Sequence, residues 1–383
     1  MFKSLSKRLN DYRRRIAHEW WILNINRSIA RNYRLYDRWV DQLQSDPPDV
    51  FIGSDFEFGG VRNHIRAIKA HSSLNIRVVP DESAMRGLRH FDVHVQKRFM
   101  DFVPIGNPVV HSHVSPWMIQ WCMKQHTMGS RWIHTYHLPY FPDHGKTELE
   151  PWQIEINQAL IHQACHADVR LSVAKWQSDY LISEHGIETI YLPNGVDVAA
   201  CDRGDSGRFQ DSPGVKTPFV LHVSRNDPVK NPAEFVRLAA RHPDLRFVVI
   251  GDGLDETVMA RDWQTPTPSN LQYLGACCHA EVQDALAACS ALVVTSKREG
   301  LPTLVLEAMT HGKPVVVPEE AGCLEAIDHG RYGFSYPLGD LGALSSSLQN
   351  ALSDTERCTQ SRQRIMDHYD WRVVARHLDA VYS

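Results

Sequence analysis

The chain has 383 residues, 43% of them hydrophobic and 22% charged, with a formal net charge of −4. That length suffices for two domains with separate cores, the composition is ordinary for globular protein, and the charge gives no global case for a nucleic-acid partner. The eight cysteines, at 122, 165, 201, 277, 278, 289, 323 and 358, form no CxxC pair. They read as reduced thiols of a cytoplasmic protein, not as a disulfide framework or a zinc site. No apolar stretch is long enough to span a bilayer, and the start of the chain carries no secretory pattern.

Residues 1–48 stand apart. The first forty hold ten Lys or Arg against three acids, and Phe2, Leu5, Leu9, Tyr12, Ile16 and Trp20 recur at helical spacing. Two readings of this basic amphipathic extension stay open. It is a helix lying on an anionic membrane surface, or a helix packed on its own protein with its charges in solvent.

From Asp49 the pattern is α/β. A short strand, Val50 to Gly53, runs into a turn with Gly59-Gly60, where a missing Cβ permits a ligand to approach the backbone or simply allows a tight turn. Ile76 to Val79 is the next strand. Two further strands end in His113 and His137, and a histidine there is either a ligand contact or a satisfied structural group. No HExxH spacing accompanies them, so neither is expected to hold a metal. Helices at 151–165 and 174–185 flank a strand at 169–173, and Pro193-Asn194-Gly195 is turn chemistry. These define a first domain over 49–200, followed by a polar linker at 201–216.

The second domain, 217–365, opens with the strand Phe219 to Val223. Arg225 and Lys230 lie in the loop at its carboxyl end, placed to neutralise a diphosphate or to be solvated cations. Arg246 to Ile250 runs into Gly251-Asp252-Gly253, a tight turn able to approach a nucleotide. Ala291 to Val294 is a buried strand, and the loop after it carries Glu299, Leu301 and Pro302. Pro302 suits the first helical position, the amides around Thr303 and Leu304 would face an anion, and Glu307 lies about a turn and a half further in. When ionised it only accepts hydrogen bonds, so hydroxyls suit it. Gly312 and Pro314 end the helix before the strand Val315 to Val317. Trp371, Val373, Val374, Leu378 and Val381 form a last helical stripe.

The segment EGLPTLVLE resembles the Glu-seven residues-Glu motif of the retaining glycosyltransferases of family 4, which have the GT-B fold. Leu301-Pro302 stands where an aromatic-Gly pair is usual, and Ser224-Arg225-Asn226 where Gly-Arg-Leu is usual. The resemblance implies two doubly wound Rossmann-like domains facing a cleft, with the C-terminal helix 366–383 returning to the first. Arg225 and Lys230 would then grip the donor diphosphate, Glu299 and His137 the donor sugar, and Glu307 the ribose hydroxyls. Gly59 and Gly60 match a paired-glycine loop near the diphosphate and acceptor, His113 matches a second histidine, and Asn194 lies in the Pro-Asn-Gly-Val-Asp segment that closes the first domain. Leu301, Pro302, Thr303, Gly251 and Gly253 would line the substrate site. The expected activity is retaining, metal-independent transfer of a sugar from a nucleotide-sugar to a glycan or lipid-linked acceptor, in cell-surface polysaccharide or glycolipid synthesis. The nucleotide-sugar is substrate, and no cofactor is expected. The rivals are an epimerase or phosphorylase on the same scaffold, and a non-catalytic sugar-nucleotide-binding scaffold.

Overall fold

The computed structural model describes residues 27, 31, 33–34, 36–53, 59–79, 99–142, 148–210, 215–354 and 356–383. The Phe2–Trp20 stripe of the basic extension lies outside the described residues. Its far end lies within them. Residues 36–45 are helical, and Tyr36, Trp39 and Leu43, three and four apart, are each 4–5% exposed. The Trp39 ring sits 6.3 Å from Phe99 and 6.0 Å from Phe102, so this part of the extension packs on its own fold. No helix among the described residues is long and apolar enough to cross a membrane.

Two parallel six-stranded sheets organise the chain. The first contains β1 (Val50–Ile52), β2 (Ile76–Val78), β3 (Val109–Ser112), β4 (Trp132–Tyr136), β5 (Val169–Ser172) and β6 (Ile190–Tyr191), in the order β2-β1-β3-β4-β5-β6. Helices cover both faces of such sheets, so their strands are apolar without alternation; β1 is Val-Phe-Ile, buried throughout.

The second contains β7 (Val220–Val223), β8 (Phe247–Ile250), β9 (Leu271–Tyr273), β10 (Ala291–Val293), β11 (Val315–Pro318) and β12 (Phe334–Tyr336), in the order β12-β11-β10-β7-β8-β9. Val315 and Val317 enter one core while Val316 enters the other, as the two-residue strand period requires. The strand order reverses between β7 and β10. Connections leave those two strands toward opposite faces, and the crevice beyond their carboxyl ends is where ligands of such sheets bind.

The chain falls into two compact units, one of residues up to Ile65 with Leu74–Ile133, the other of Arg66–Ser73 with His134–Ser383. In the first, Phe51, Phe99, Phe102 and Trp121 form an aromatic cluster with ring centroids 4.8–6.2 Å apart, and the Trp121 indole N–H donates to the Phe102 carbonyl. In the second, the helix Trp371–Tyr382 is tied to distant segments. Asp379 accepts from the Ser72 hydroxyl at 2.5 Å and the Ser73 amide at 2.9 Å. Val196 donates to the Tyr369 carbonyl and accepts from Trp371. A Cβ on Gly195 would lie 2.5 Å from the Trp371 ring, so the turn is glycine because the indole lies on it.

Trp39→Ala should destabilise the protein by about 3–5 kcal/mol, the usual loss for emptying a buried aromatic site. A denaturant midpoint equal to wild type would show that residues 36–45 do not pack on the fold in solution.

Candidate functional site

The loops leaving β7 and β10 are stitched to each other and to β8 by hydrogen bonds. After β7, the Ser224 amide donates to Ile250 O and the Asn226 amide to Asp252 O. The Asp227 carboxylate takes the Val229 amide, and Asn231, at φ 50, turns the chain into the helix Pro232–Arg241. After β10, the Thr295 hydroxyl lies 2.9 Å from the carbonyls of both Lys230 and Asn231, and the Lys297 amide donates to Val229 O at 2.7 Å. The outcome is a Lys230 Nζ to Glu299 Oε1 distance of 2.6 Å, with 27% and 15% of the side chains exposed. The sequence proposed both residues; the fold joins them, a charge-assisted pair at the switch point.

Three groups hold the Glu299 loop from behind. The Trp176 indole N–H donates to Gly300 O at 2.7 Å, and the Asn194 amide to Leu301 O at 3.3 Å. A Cβ on Gly322 would lie 2.4 Å from Glu299 O and 2.2 Å from Gly300 O, so only glycine lets the next helix press on this backbone. His137 is buried, and its carbonyl lies 3.3 Å from where a Cβ on Gly300 would stand.

Glu320, which sequence reasoning passed over, caps the helix Ala321–Ala326 by accepting the Gly322 and Cys323 amides. Burial first, and then the neighbouring Glu299 charge, push its carboxyl up to about 7, against the pull of backbone N–H groups of Glu299 and Cys323. On β7 itself stands a second unpredicted group. His222 places Nδ1 2.9 Å from Val293 O and Nε2 2.9 Å from Ser224 Oγ. A carbonyl only accepts, so Nδ1 carries the proton and Nε2 accepts from the hydroxyl. Burial drives this imidazole down to about 4, so it stays neutral.

Thr303 opens the helix Thr303–Thr310 and Pro302 precedes it with extended backbone, φ −73 and ψ 103. Pro302 is therefore the cap and not the first helical residue, because the chain arrives from the Glu299 loop still extended. The Glu307 side chain on this helix is 18% exposed. Gln283 Nε2 donates to its Oε2 at 2.6 Å, and His279 Nε2 lies 4.0 Å from its Oε1. Burial raises its pKa, opposed by the His279 charge and the Gln283 amide. His311, whose Nε2 is 2.9 Å from Gln283 Oε1, is lowered to about 4, mainly by burial. The one signal for these neighbours in the sequence was the four-residue spacing of His279 and Gln283, which puts them on one helical face.

The remaining predicted residues make contacts of their own. Arg225 is 70% exposed and pairs with Asp227 at 3.2 Å. Gly251 sits where a Cβ would come 1.7 Å from Ser224 O, and Gly253 has φ 69. In the other unit, Gly59 opens the helix Gly59–His71 at φ 56, with Gly60 in its first turn. The expected glycine turn is thus already helix; a Cβ on either would meet nothing within 4 Å, and the positive φ alone calls for glycine at 59. His113 is buried, its ring 4.5 Å from His111 and 5.6 Å from His64.

Comparison with known proteins bears on the fold and the broad class of the chain. Residues 206–367 match the family described as glycosyl transferases group 1. The N,N'-diacetylbacillosaminyl-diphospho-undecaprenol alpha-1,3-N-acetylgalactosaminyltransferase of Campylobacter jejuni is 30% identical over 172 residues, 44% of this chain and 45% of that protein. A GDP-mannose-dependent alpha-mannosyltransferase of Mycobacterium tuberculosis is 28% identical over 222 residues, 57% of each. The chain spans about half the length of these curated relatives. Among solved structures, HepE of Anabaena in complex with UDP-glucose matches with a TM-score of 0.67 at 16% identity, covering 87% of this chain and 98% of that one. The fold is GT-B. With the family match over the second sheet, it supports a GT-B glycosyltransferase.

In this GT-B sheet, Glu320 makes stability depend on pH. Its folded value of about 7 lies above the ordinary 4.5, so the folded state holds the proton more tightly. The resulting stabilisation is full below pH 4.5 and is lost as pH rises through 7, at most about 3 kcal/mol and less for a partly exposed group. Glu320→Gln should abolish that fall and melt above wild type at pH 8. Parallel melting curves from pH 4.5 to 8 would refute the assignment.

Proposed function

We propose that this chain is a retaining glycosyltransferase of family 4 that transfers a sugar from a nucleotide-sugar to a glycan or lipid-linked hydroxyl, in cell-surface polysaccharide or glycolipid synthesis, without a metal. The observation that carries the reading is the Lys230–Glu299 pair, 2.6 Å apart at the switch point, with Glu307 on the helix that follows. A donor diphosphate would lie against the amides of Thr303 and Leu304 and between Arg225 and Lys230. Its charge competes with Glu299 for the lysine and leaves that carboxylate to accept from the sugar hydroxyls. His137 would complete the sugar pocket, and Glu307 would accept from the ribose.

In the reaction, the bond from the anomeric carbon to the diphosphate oxygen breaks as the acceptor oxygen bonds to that carbon on the same face. The acceptor proton passes to a phosphate oxygen of the leaving group. Negative charge grows on the departing diphosphate, and fixed cations and amides aimed at it lower the barrier. A lipid-linked acceptor is supported by the name of the Campylobacter relative and by the basic run of the first forty residues, which we assign to an anionic membrane surface. Gly59, Gly60 and His113 are assigned to the acceptor side on the resemblance alone.

A thermal-shift screen with nucleotide-sugars and nucleoside diphosphates, with and without chelator, should give a chelator-insensitive rise for one nucleotide family. With that donor at saturation, Lys230→Ala and Arg225→Ala should each lose roughly a hundredfold in turnover, about 3 kcal/mol, the scale of a lost oxyanion donor. Unchanged turnover in Lys230→Ala would remove it from the diphosphate site, and an inverted product anomer would end the retaining assignment. Donor binding with no transfer to any acceptor would favour the scaffold. Anionic vesicles should float the full chain but not one lacking residues 1–26; equal flotation would exclude residues 1–26 as the anchor.

A further inference from the structure

Glu307 does not stand alone on its helix. Gln283, on the helix His279–Ala288 and 2% exposed, donates to Glu307 Oε2 at 2.6 Å, while its own Oε1 lies 2.9 Å from His311 Nε2. The polarity of this chain follows from its ends. A carboxylate only accepts, so the amide NH₂ must face Glu307 and the amide oxygen must face His311. His311 is neutral and must carry its proton on Nε2 to satisfy that oxygen. The reverse orientation would set the amide oxygen against the carboxylate. Gly204 closes against the main chain of this helix and the His311 ring, since a Cβ there would come 2.6 Å from the Gln283 main-chain O and 2.8 Å from His311 Cε1. Oε2 is therefore committed within the protein. Oε1, toward the exposed His279 ring 4.0 Å away, is the oxygen left for a ligand.

We propose that Gln283, oriented by His311, is a positioning residue that fixes Glu307 so that one carboxylate oxygen reads the ribose diol of the nucleotide. The inference rests on the reading of Glu307 as the ribose contact. With Oε2 held by Gln283, the two vicinal hydroxyls compete for the lone pairs of Oε1, and the one better aimed along them dominates recognition. The site then discriminates ribose from the matching deoxyribose, and that discrimination depends on Gln283.

The test measures affinities of UDP, GDP and ADP, and of the 2'-deoxy and 3'-deoxy forms of whichever binds, with donor-saturated turnover alongside. Wild type should lose at least tenfold on removal of one hydroxyl and less than threefold on removal of the other. Gln283→Leu should bind the parent diphosphate about tenfold more weakly, or about 1.4 kcal/mol, and discriminate within threefold, with saturated turnover within twofold of wild type. A merely structural role would instead lower the melting temperature and leave that discrimination intact. Should Gln283→Leu fail to fold, Gln283→Glu keeps the shape and sets a second carboxylate against Glu307. Its affinity should fall between pH 7 and 8.5 more steeply than that of wild type. Wild-type affinity, discrimination and pH profile in these variants overturn the proposal. Wild-type affinity in Glu307→Ala, or no binding of any diphosphate, brings down the ribose reading itself.

Discussion

A lysine ammonium and a glutamate carboxylate 2.6 Å apart, both partly shielded from water, form the contact around which the second sheet arranges its loops. Such a pair is a weak source of stability: solvent screens it, and two long side chains lose rotamer freedom to make it. Its environment is nevertheless closely determined. The Thr295 hydroxyl reaches back to the carbonyl of Lys230 itself, and the Lys297 amide grips Val229. Trp176 and Asn194 hold the carbonyls that follow Glu299. Backbone bonds fix where both charges stand, and on the proposed reading the third charged group to meet them is the donor diphosphate.

Much of the fold was legible because both sheets are parallel and buried on both faces. Strands such as Val220–Val223 and Val315–Pro318 are short apolar runs closed by turn residues, and the helices between them end at Gly312 or begin at Pro232. Strand order was not legible, since it depends on which runs meet in space. The same limit divides the site. Glu299 and Glu307 could be found because one loop and one helix carry both. Lys230 meets Glu299 across 69 residues, and residue type together with the family resemblance named both without showing that they touch. Gln283, His311 and Glu320 escaped because their meaning lies in what burial does to them. A glutamine, a histidine and a glutamate in polar segments carry no pattern until a fold removes their water. The displaced details, Pro302 one position outside its helix and Gly59 inside another, are boundary effects decided by the backbone angle at which the chain enters.

Glycines set the distances within the site. Gly251 against Ser224 and Gly322 against the Glu299–Gly300 backbone each admit an approach that any side chain would block. The loops that bear the candidate chemistry are thus held by main-chain packing, and little conformational freedom is left for a ligand to remove on binding. His222 adds to this from below: neutral and buried, it carries a hydrogen-bond path from Val293 to Ser224 and ties the ends of β10 and β7 together.

The fastening of Asp379 to Ser72 and Ser73 also bears on how the protein is made. The contact spans 307 residues, and the unit it belongs to includes both a segment from the first eighty residues and the last helix described. A ribosome delivers these ends far apart in time. The first sheet can pair its early strands as they emerge, but Arg66–Ser73 must wait with its final partners missing until Trp371–Tyr382 has been synthesised. Closing so long a loop is slow, and through that interval Ser72 and Ser73 keep water as the partner that Asp379 later replaces.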